Sequence, residues 1–391
     1  MTSDLPPLPL PKGISSRTIN TSPYGLNFHI LEAGYTPTRL KPLILLLHGF
    51  PDLAYSWRHV IPLLASAGYY VVAPDQRGYG RTSGWDTSGF SQVNLQEFSM
   101  IRLVTDIVVL VNALGYRKVT CLVGHDFGAV AAAHCAVSRP DLFEKLVLMS
   151  HPFKGTLNLP FNTANGAELP SGPVPVDMEA ELAKLDRPRK HYRWYYSSEV
   201  ANEEMLEPKD TLHDFLRGYF HLKSADWEGN DPQPLKGWEA DEFAKMPVYY
   251  VMDKEDGMRA AVAREMKRED SEIISRKGSR WLSDEELGVY VQEFSRTGFQ
   301  GGLNWYRVQT DAVLRRDTAL LAGRKIEVPC FYVSGLKDWG NHQEPGSLKK
   351  MKDHCTRLVA IKFIEGAGHW LPQEQPREAT NAILGAVSEN I

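Results

Sequence analysis

Residues 124–128 read Gly-His-Asp-Phe-Gly, one acidic side chain framed by two glycines, between an apolar run ending at Val123 and a small-residue stretch from Ala129. Glycines so placed let a strand and a helix approach closely around a tight turn, and such a turn lifts its central side chain clear of the backbone. The lifted group here is the carboxylate of Asp126. Free N–H groups at a helix N-terminus stabilise an anion, so Asp126 is expected to stay ionised near neutral pH. An ionised carboxylate attacks a saturated carbon bearing a leaving group without first losing a proton to a base, and it leaves a covalent alkyl ester. The competing reading is structural, because an aspartate in a turn commonly caps the following helix.

Two residues far along the chain give this carboxylate a context. Asp338, in Ser334-Gly-Leu-Lys-Asp338-Trp339, and His369, in Glu365-Gly-Ala-Gly-His369-Trp370, each follow a strand-like run. The order nucleophile, acid, histidine suits a parallel sheet whose carboxyl-edge loops carry all three. His369 would act as the base for water, and Asp338 would orient it and stabilise its charged form. A single histidine after a strand is more often structural, and the chain has 12; the Gly-Ala-Gly-His setting singles out His369. Upstream, His48-Gly-Phe50-Pro51 closes another apolar run. Backbone N–H groups of Phe50 and Phe127 would form an oxyanion hole for the tetrahedral species created when water attacks the ester. Read structurally, His-Gly-Phe-Pro is a strand-to-helix turn.

These residues need a sheet to hold them. Leu43–Leu47, Tyr69–Ala73, Val119–Val123 and Leu146–Met149 are near-continuous apolar runs, as expected of central strands buried on both faces, and the strand pattern resumes at Cys330–Ser334 and Val359–Ile364. Helical spacing appears at Thr105–Leu114, Ala129–Val137 and Pro376–Val387. Residues 153–315 read differently: they are rich in Trp and Tyr, carry charged helical stretches such as Ala260–Arg268, and lack strand-turn-helix alternation. The expected architecture is α/β, a mostly parallel twisted sheet flanked by helices, built from residues 1–152 and 316–391. An inserted, mainly helical cap would occupy 153–315, with loops at Asn158–Pro175 and from Gly229 to Pro234.

Composition excludes several functions. A net charge of −4 over 391 residues offers no concentrated basic face, so nucleic acid is not an expected partner. The four cysteines, Cys121, Cys135, Cys330 and Cys355, are widely spaced and show neither a disulfide frame nor metal-ligand spacing. No metal and no cofactor is expected. The N-terminus has no basic segment followed by an apolar one, and no apolar run is long enough to span a bilayer, so a cytoplasmic protein without a membrane partner is the expectation.

With His48-Gly-Phe50-Pro51, Gly124-His125-Asp126-Phe127-Gly128, Asp75-Gln-Arg-Gly-Tyr-Gly80 and Arg296-Thr-Gly-Phe-Gln-Gly-Gly-Leu-Asn-Trp-Tyr306-Arg307 together, the chain resembles the soluble-type epoxide hydrolases of the α/β-hydrolase fold. The resemblance runs over nearly the whole length, and the last stretch is its most specific part. It implies that two cap tyrosines bind the epoxide oxygen over the nucleophile and supply a proton as the ring opens. Tyr306 takes one of those places. Tyr195 is chosen for the other, in His191-Tyr-Arg-Trp-Tyr195-Tyr196, with Tyr196 and Tyr192 as competitors. A small apolar epoxide and water are the implied partners, and a homodimer is an assembly compatible with them.

Two departures stand out. Phe127 occupies a place where many relatives carry Trp, and residues 226–290 are longer than the lids the family leads one to expect. A haloalkane or fluoroacetate dehalogenase would share the aspartate and the histidine but needs N–H donors for halide, and neither a Trp nor an Arg follows Asp126. An esterase would need Ser or Cys at position 126. A ligand receptor that keeps the fold and its pocket is the remaining alternative, and turnover of a simple epoxide separates it from an enzyme.

Overall fold

A computed structural model describes residues 5–157 and 177–389. The chain-order strands are β1 (Ser15–Asn20), β2 (Asn27–Ala33), β3 (Leu43–Leu47), β4 (Tyr70–Pro74), β5 (Cys121–His125), β6 (Leu146–Met149), β7 (Arg189–His191), β8 (Val251–Asp253), β9 (Cys330–Gly335) and β10 (Leu358–Ile364). Eight of them form one sheet in the order β1-β2-β4-β3-β5-β6-β9-β10. β1 and β2 pair antiparallel with each other, β2 pairs antiparallel with β4, and the remaining ladders are parallel. β3, β4, β5 and β6 are buried along their whole length, which is why their sequences are apolar without alternation.

The six expected strands all occur, with one informative shift. β5 runs from Cys121 to His125 rather than from Val119 to Val123. Gly124 and His125 are laddered, opposite Leu47 and Met149, whereas Val119 makes only an isolated bridge to Phe143. A glycine reads as a strand breaker, yet here it carries the strand up to the turn. β1 and β2 have no counterpart among the expected strands: β1 is an exposed, polar edge and lacks the apolar run by which the others were found.

After β3 the chain crosses to β4 on one side and then to β5 on the other, so the strand order reverses between β3 and β5. Sites in open α/β sheets form at the carboxyl ends of strands at such a reversal. Helix Phe127–Ser138 packs there through Ala131, Ala132 and Ala133, which are fully or almost fully buried; small side chains let it lie close to the sheet.

The segment between β6 and β9 is mainly helical, as expected, and forms a cap that also holds a short antiparallel pair, β7 and β8, which the sequence did not single out. Gly229 to Pro234 lacks regular structure, as expected. The Asn158–Pro175 loop lies wholly outside the described residues. Helix Asp284–Thr297 starts with a capping box between Ser283 and Glu286. Helix Gln300–Thr310 lies against the core at glycines: a Cβ on Gly301 would stand 2.0 Å from the Gly78 carbonyl oxygen, and one on Gly78 would stand 2.5 Å from that of Gly301. Trp305 donates its indole N–H to the Arg77 carbonyl (2.9 Å), and Arg296 donates to that of Gly80 (2.8 Å). The Asp75–Gly80 stretch and the Arg296–Arg307 stretch, separate motifs in the sequence, are the two halves of one docking surface.

Candidate active site

Asp126 stands between β5 and the helix that follows, at φ 53° and ψ −122°, a conformation that a non-glycine residue holds only where its surroundings enforce it. The flanking glycines enforce it. A Cβ on Gly124 would lie 2.3 Å from the Gly128 carbonyl oxygen, and one on Gly128 would lie 2.4 Å from the carbonyl oxygens of Leu47 and His48. Gly49 in the facing loop is needed too, since its Cβ would press on the Asp126 side chain. The Asp126 side chain makes no helix-capping hydrogen bond, which removes the structural reading. Its Oδ1 instead accepts the Phe50 N–H at 3.0 Å, so the β3 loop holds the carboxylate across the strand reversal. Phe127 opens the helix, where a backbone N–H lacks an intrahelical acceptor.

His369 reaches Asp126 from the loop after β10. Its Nε2 lies 3.4 Å from Asp126 Oδ2, longer than a well-formed hydrogen bond. Its Nδ1 lies 3.1 Å from Oδ1 of Asp338, a bond that assigns the proton to Nδ1 and leaves Nε2 facing the nucleophile. Asp338, buried after β9, also accepts from Gly340 N–H (2.7 Å) and Ser334 Oγ (3.2 Å). His125 donates to the His369 carbonyl at 2.6 Å, so the residue beside the nucleophile anchors the backbone of the histidine. The loop is tied further by Glu374, which accepts N–H bonds from Gly368, Trp370 and Ala225.

The charges agree with this arrangement. Burial opposes ionisation of Asp126, but His369, Lys223 and His125 outweigh it and hold the carboxyl well below the usual range. Burial likewise opposes the Asp338 charge, and His369 reverses that. For His369, burial and Lys223 favour the neutral ring, while Asp338 and Asp126 favour the imidazolium and prevail, leaving its pKa raised.

Tyr306 extends from helix Gln300–Thr310 over this group. Its ring packs edge-on against Phe50 and Phe127 at 5.5 and 5.1 Å, and after burial the Asp126 charge is the largest influence raising its pKa. The three tyrosines of 192–196 separate clearly. Tyr195, the residue chosen from the sequence, does not join the site: its hydroxyl donates to Glu204 (2.9 Å) and Lys190 lies over its ring. Tyr196 is bound to the Tyr219 hydroxyl (3.0 Å). Tyr192 packs on Tyr306 with ring centroids 5.9 Å apart, and burial together with Asp126 raises its pKa against the pull of Arg193. Of these three tyrosines Tyr192 alone lies in the field of Asp126, and its hydroxyl donates to Gln343 at 3.2 Å. Sequence reasoning kept it as a competitor, and no local signal separates it from Tyr195.

A cavity of about 440 Å³ lies behind Phe127 and Trp305, walled by Met100, Leu103 and Val308 and reaching His151 and Arg193. Among the described residues no group of three or more His, Cys, Asp or Glu is placed to hold a metal ion, and no helix is long and apolar enough to cross a membrane.

Residues 42–232 match the family model of the alpha/beta hydrolase fold. Over most of its length the chain is similar to characterised proteins. It is 30% identical to Epoxide hydrolase A of Mycobacterium tuberculosis, covering 95% of this chain and 96% of that protein. It is 29% identical to Epoxide hydrolase 3 of Siraitia grosvenorii, covering 92% and 94%. Among solved structures, that of potato (Solanum tuberosum) epoxide hydrolase I superposes with a TM-score of 0.69 at 29% identity, covering 95% of this chain and 98% of the other. An epoxide hydrolase from an endophytic Streptomyces gives 0.70 at 26% identity.

Proposed function

The chain belongs to the epoxide hydrolase family of the α/β-hydrolase fold, and from that premise we propose that it converts epoxides to vicinal diols through an ester on Asp126, with residues 153–315 serving as the cap. The observation that carries this reading is the line Asp338–His369–Asp126, with the Tyr306 ring packed on Phe50 and Phe127 beside it and Tyr192 packed on Tyr306.

In the first step a carboxylate oxygen of Asp126 attacks an epoxide carbon, the ring C–O bond breaks, and a tyrosine hydroxyl gives its proton to the departing oxygen. Alkoxides are too basic to leave unassisted, and a phenol supplies a proton without being charged beforehand. In the second step water attacks the ester carbonyl and His369 takes a proton from it. The N–H groups of Phe50 and Phe127 bind the resulting oxyanion. Collapse releases the diol, protonated by His369, and the remaining proton of the water restores the phenol as Asp126 reionises. Esterification removes the negative charge of Asp126, one of the two that favour the imidazolium, so His369 is more often in the neutral form that the base step requires.

A dehalogenase reading is weakened by the indole packed on the residue after the nucleophile. Trp305, which packs on Phe127 at 5.0 Å, spends its N–H on the Arg77 carbonyl and has none to offer a halide. The test uses styrene oxide. Wild-type protein should yield the diol, and His369→Gln should stop after the first step, adding the mass of one epoxide to the intact protein. Diol formation by that variant without an adduct would overturn the covalent scheme, and no diol from wild type would overturn the activity.

A further inference from the structure

We propose that the ammonium of Lys223 is an anchor for an acidic group on the substrate, and that the preferred epoxides therefore carry a carboxylate. This inference rests on the epoxide-hydrolysing reading above and names its substrate class.

Lys223 ends the cap helix Leu212–Lys223, and its backbone is fixed to the site: its carbonyl accepts the His369 N–H at 2.8 Å, and one helical turn back the Phe220 carbonyl accepts the Trp370 indole at 2.8 Å. The residue is 4% exposed. Its Nζ lies 5.1–5.8 Å from the ring centres of Tyr219, Tyr249, Tyr250 and Trp370. Among the described residues no carboxylate lies within ion-pair distance of it, and no acceptor takes a hydrogen bond from it. Of the tyrosines whose rings surround it, Tyr250 has a hydroxyl buried without a hydrogen-bond partner, whereas Tyr249 is satisfied by Asn230 and Tyr219 by Tyr196. The ammonium and the hydroxyl of a ring packed against it are thus both left without an acceptor.

Buried polar groups are almost always paired, and an unpaired charge is the costliest exception. Four aromatic faces offset part of that cost for a cation, but they accept none of the three N–H bonds. A carboxylate would take them, together with the Tyr250 hydroxyl, as charge-assisted hydrogen bonds. The location suits a substrate substituent. The Trp370 ring that covers Lys223 lies 4.6 Å from the His369 ring, and the Tyr250 ring lies 5.2 Å from Tyr192, which itself packs on Tyr306. The ammonium is one ring removed from the base and from the cap tyrosines. It also stands among three buried carboxylates, Asp126, Asp338 and Asp52, whose field would otherwise repel an anionic substrate. Burial pushes the pKa of Lys223 down against the pull of those three, and a bound carboxylate would favour its charged form.

The test compares phenylglycidate and 4-(oxiran-2-yl)benzoate with their uncharged carboxamides, two placements of the acid at nearly constant shape, with styrene oxide as the reference epoxide. Wild type is expected to favour at least one acid over its amide by about tenfold or more in kcat/KM, expressed mainly in KM. Lys223→Met should abolish or invert that ratio, and Lys223→Arg should retain most of it; a ratio is read because removing this charge also alters His369. Preference for the amide in both series, or an acid-to-amide ratio unchanged in Lys223→Met, would overturn the proposal. If Lys223→Met does not fold, the wild-type ratios decide alone. Turnover of styrene oxide and the amides with refusal of both acids would fell this inference only, whereas failure to open any of the five epoxides would fell the activity on which it rests.

Discussion

At the scale of single residues, the sharpest distinction is between two tyrosines three positions apart. Tyr192→Phe and Tyr306→Phe should each slow ring opening on the order of a hundredfold, the usual worth of a placed general acid, while Tyr195→Phe should change it by less than about twofold; rapid-quench single turnovers with styrene oxide read this directly. Equal effects at 192 and 195 would refute the assignment. A second expectation concerns pH. Ring opening needs ionised Asp126, whose carboxyl is held well below the usual range, and a protonated tyrosine, whose pKa burial raises, but ester hydrolysis needs neutral His369, and an imidazole titrates between about pH 5 and 8. Taking the reaction from about pH 8 to about pH 5 should therefore slow hydrolysis more than alkylation, and quenched intact-mass spectra should show the ester accumulating. Asp126, Asp338 and His369 were legible because each sits in a glycine-bearing turn after an apolar run, a local rule written in neighbouring residues. The choice of Tyr192 was not legible, because it depends on partners that arrive from elsewhere: Glu204 takes Tyr195, Tyr219 takes Tyr196, and of the three only Tyr192 lies in the field of Asp126. Lys223 escaped notice for the same reason, its cage being assembled from residues 219, 249, 250 and 370.

At the scale of elements, the contact between Gly78 and Gly301 makes a steep prediction. Gly301→Ala places a methyl group 2.0 Å from a backbone carbonyl, which the flexible end of a side chain could relieve but a main chain cannot. A loss of at least about 2 kcal/mol is expected, visible as a lowered thermal midpoint, whereas Gly288→Ala, where the added methyl meets nothing within 4 Å, should stabilise helix Asp284–Thr297 slightly. Both motifs that make the contact were visible in the sequence; that they touch was not, since nothing within either stretch encodes a partner more than 200 residues away. The buried strands were read well because burial on both faces imposes an unbroken apolar run. The exposed edge β1 and the short ribbon of β7 and β8 carry no such constraint, and β2, though buried, has its apolar run interrupted by the buried polar residues His29 and Glu32.

At the scale of the whole molecule, Arg58 ties the parts together. It is fully buried, donates to Glu286 at the start of a cap helix (2.7 Å), to the Trp281 carbonyl (3.0 Å) and to Gln373 just beyond His369 (2.7 Å). Arg58→Met would strand these acceptors and should cost about 3 kcal/mol, measured by chemical denaturation. Burial opposes the Glu286 charge, but His59 and Arg58 overcome it and hold its pKa well below the ordinary glutamate value. The stability from this pair is therefore complete above that ordinary value and is lost as pH falls toward the depressed one. The gap between wild type and Arg58→Met should accordingly narrow in acid, and a gap independent of pH would show that packing rather than charge accounts for it.

The seam formed by Gly78 against Gly301, with the Trp305 indole on the Arg77 carbonyl beside it, bears on how traffic through the site is timed. Raising the cap would break backbone-tight contact and buried hydrogen bonds together, at several points at once. A roof fastened in that way cannot act as a door on each turnover, so reactants and products must pass by rotations of single side chains, which displace little solvent. Turnover should then be nearly indifferent to the viscosity of the medium, and kcat in glycerol or sucrose at equal viscosity should match kcat in water.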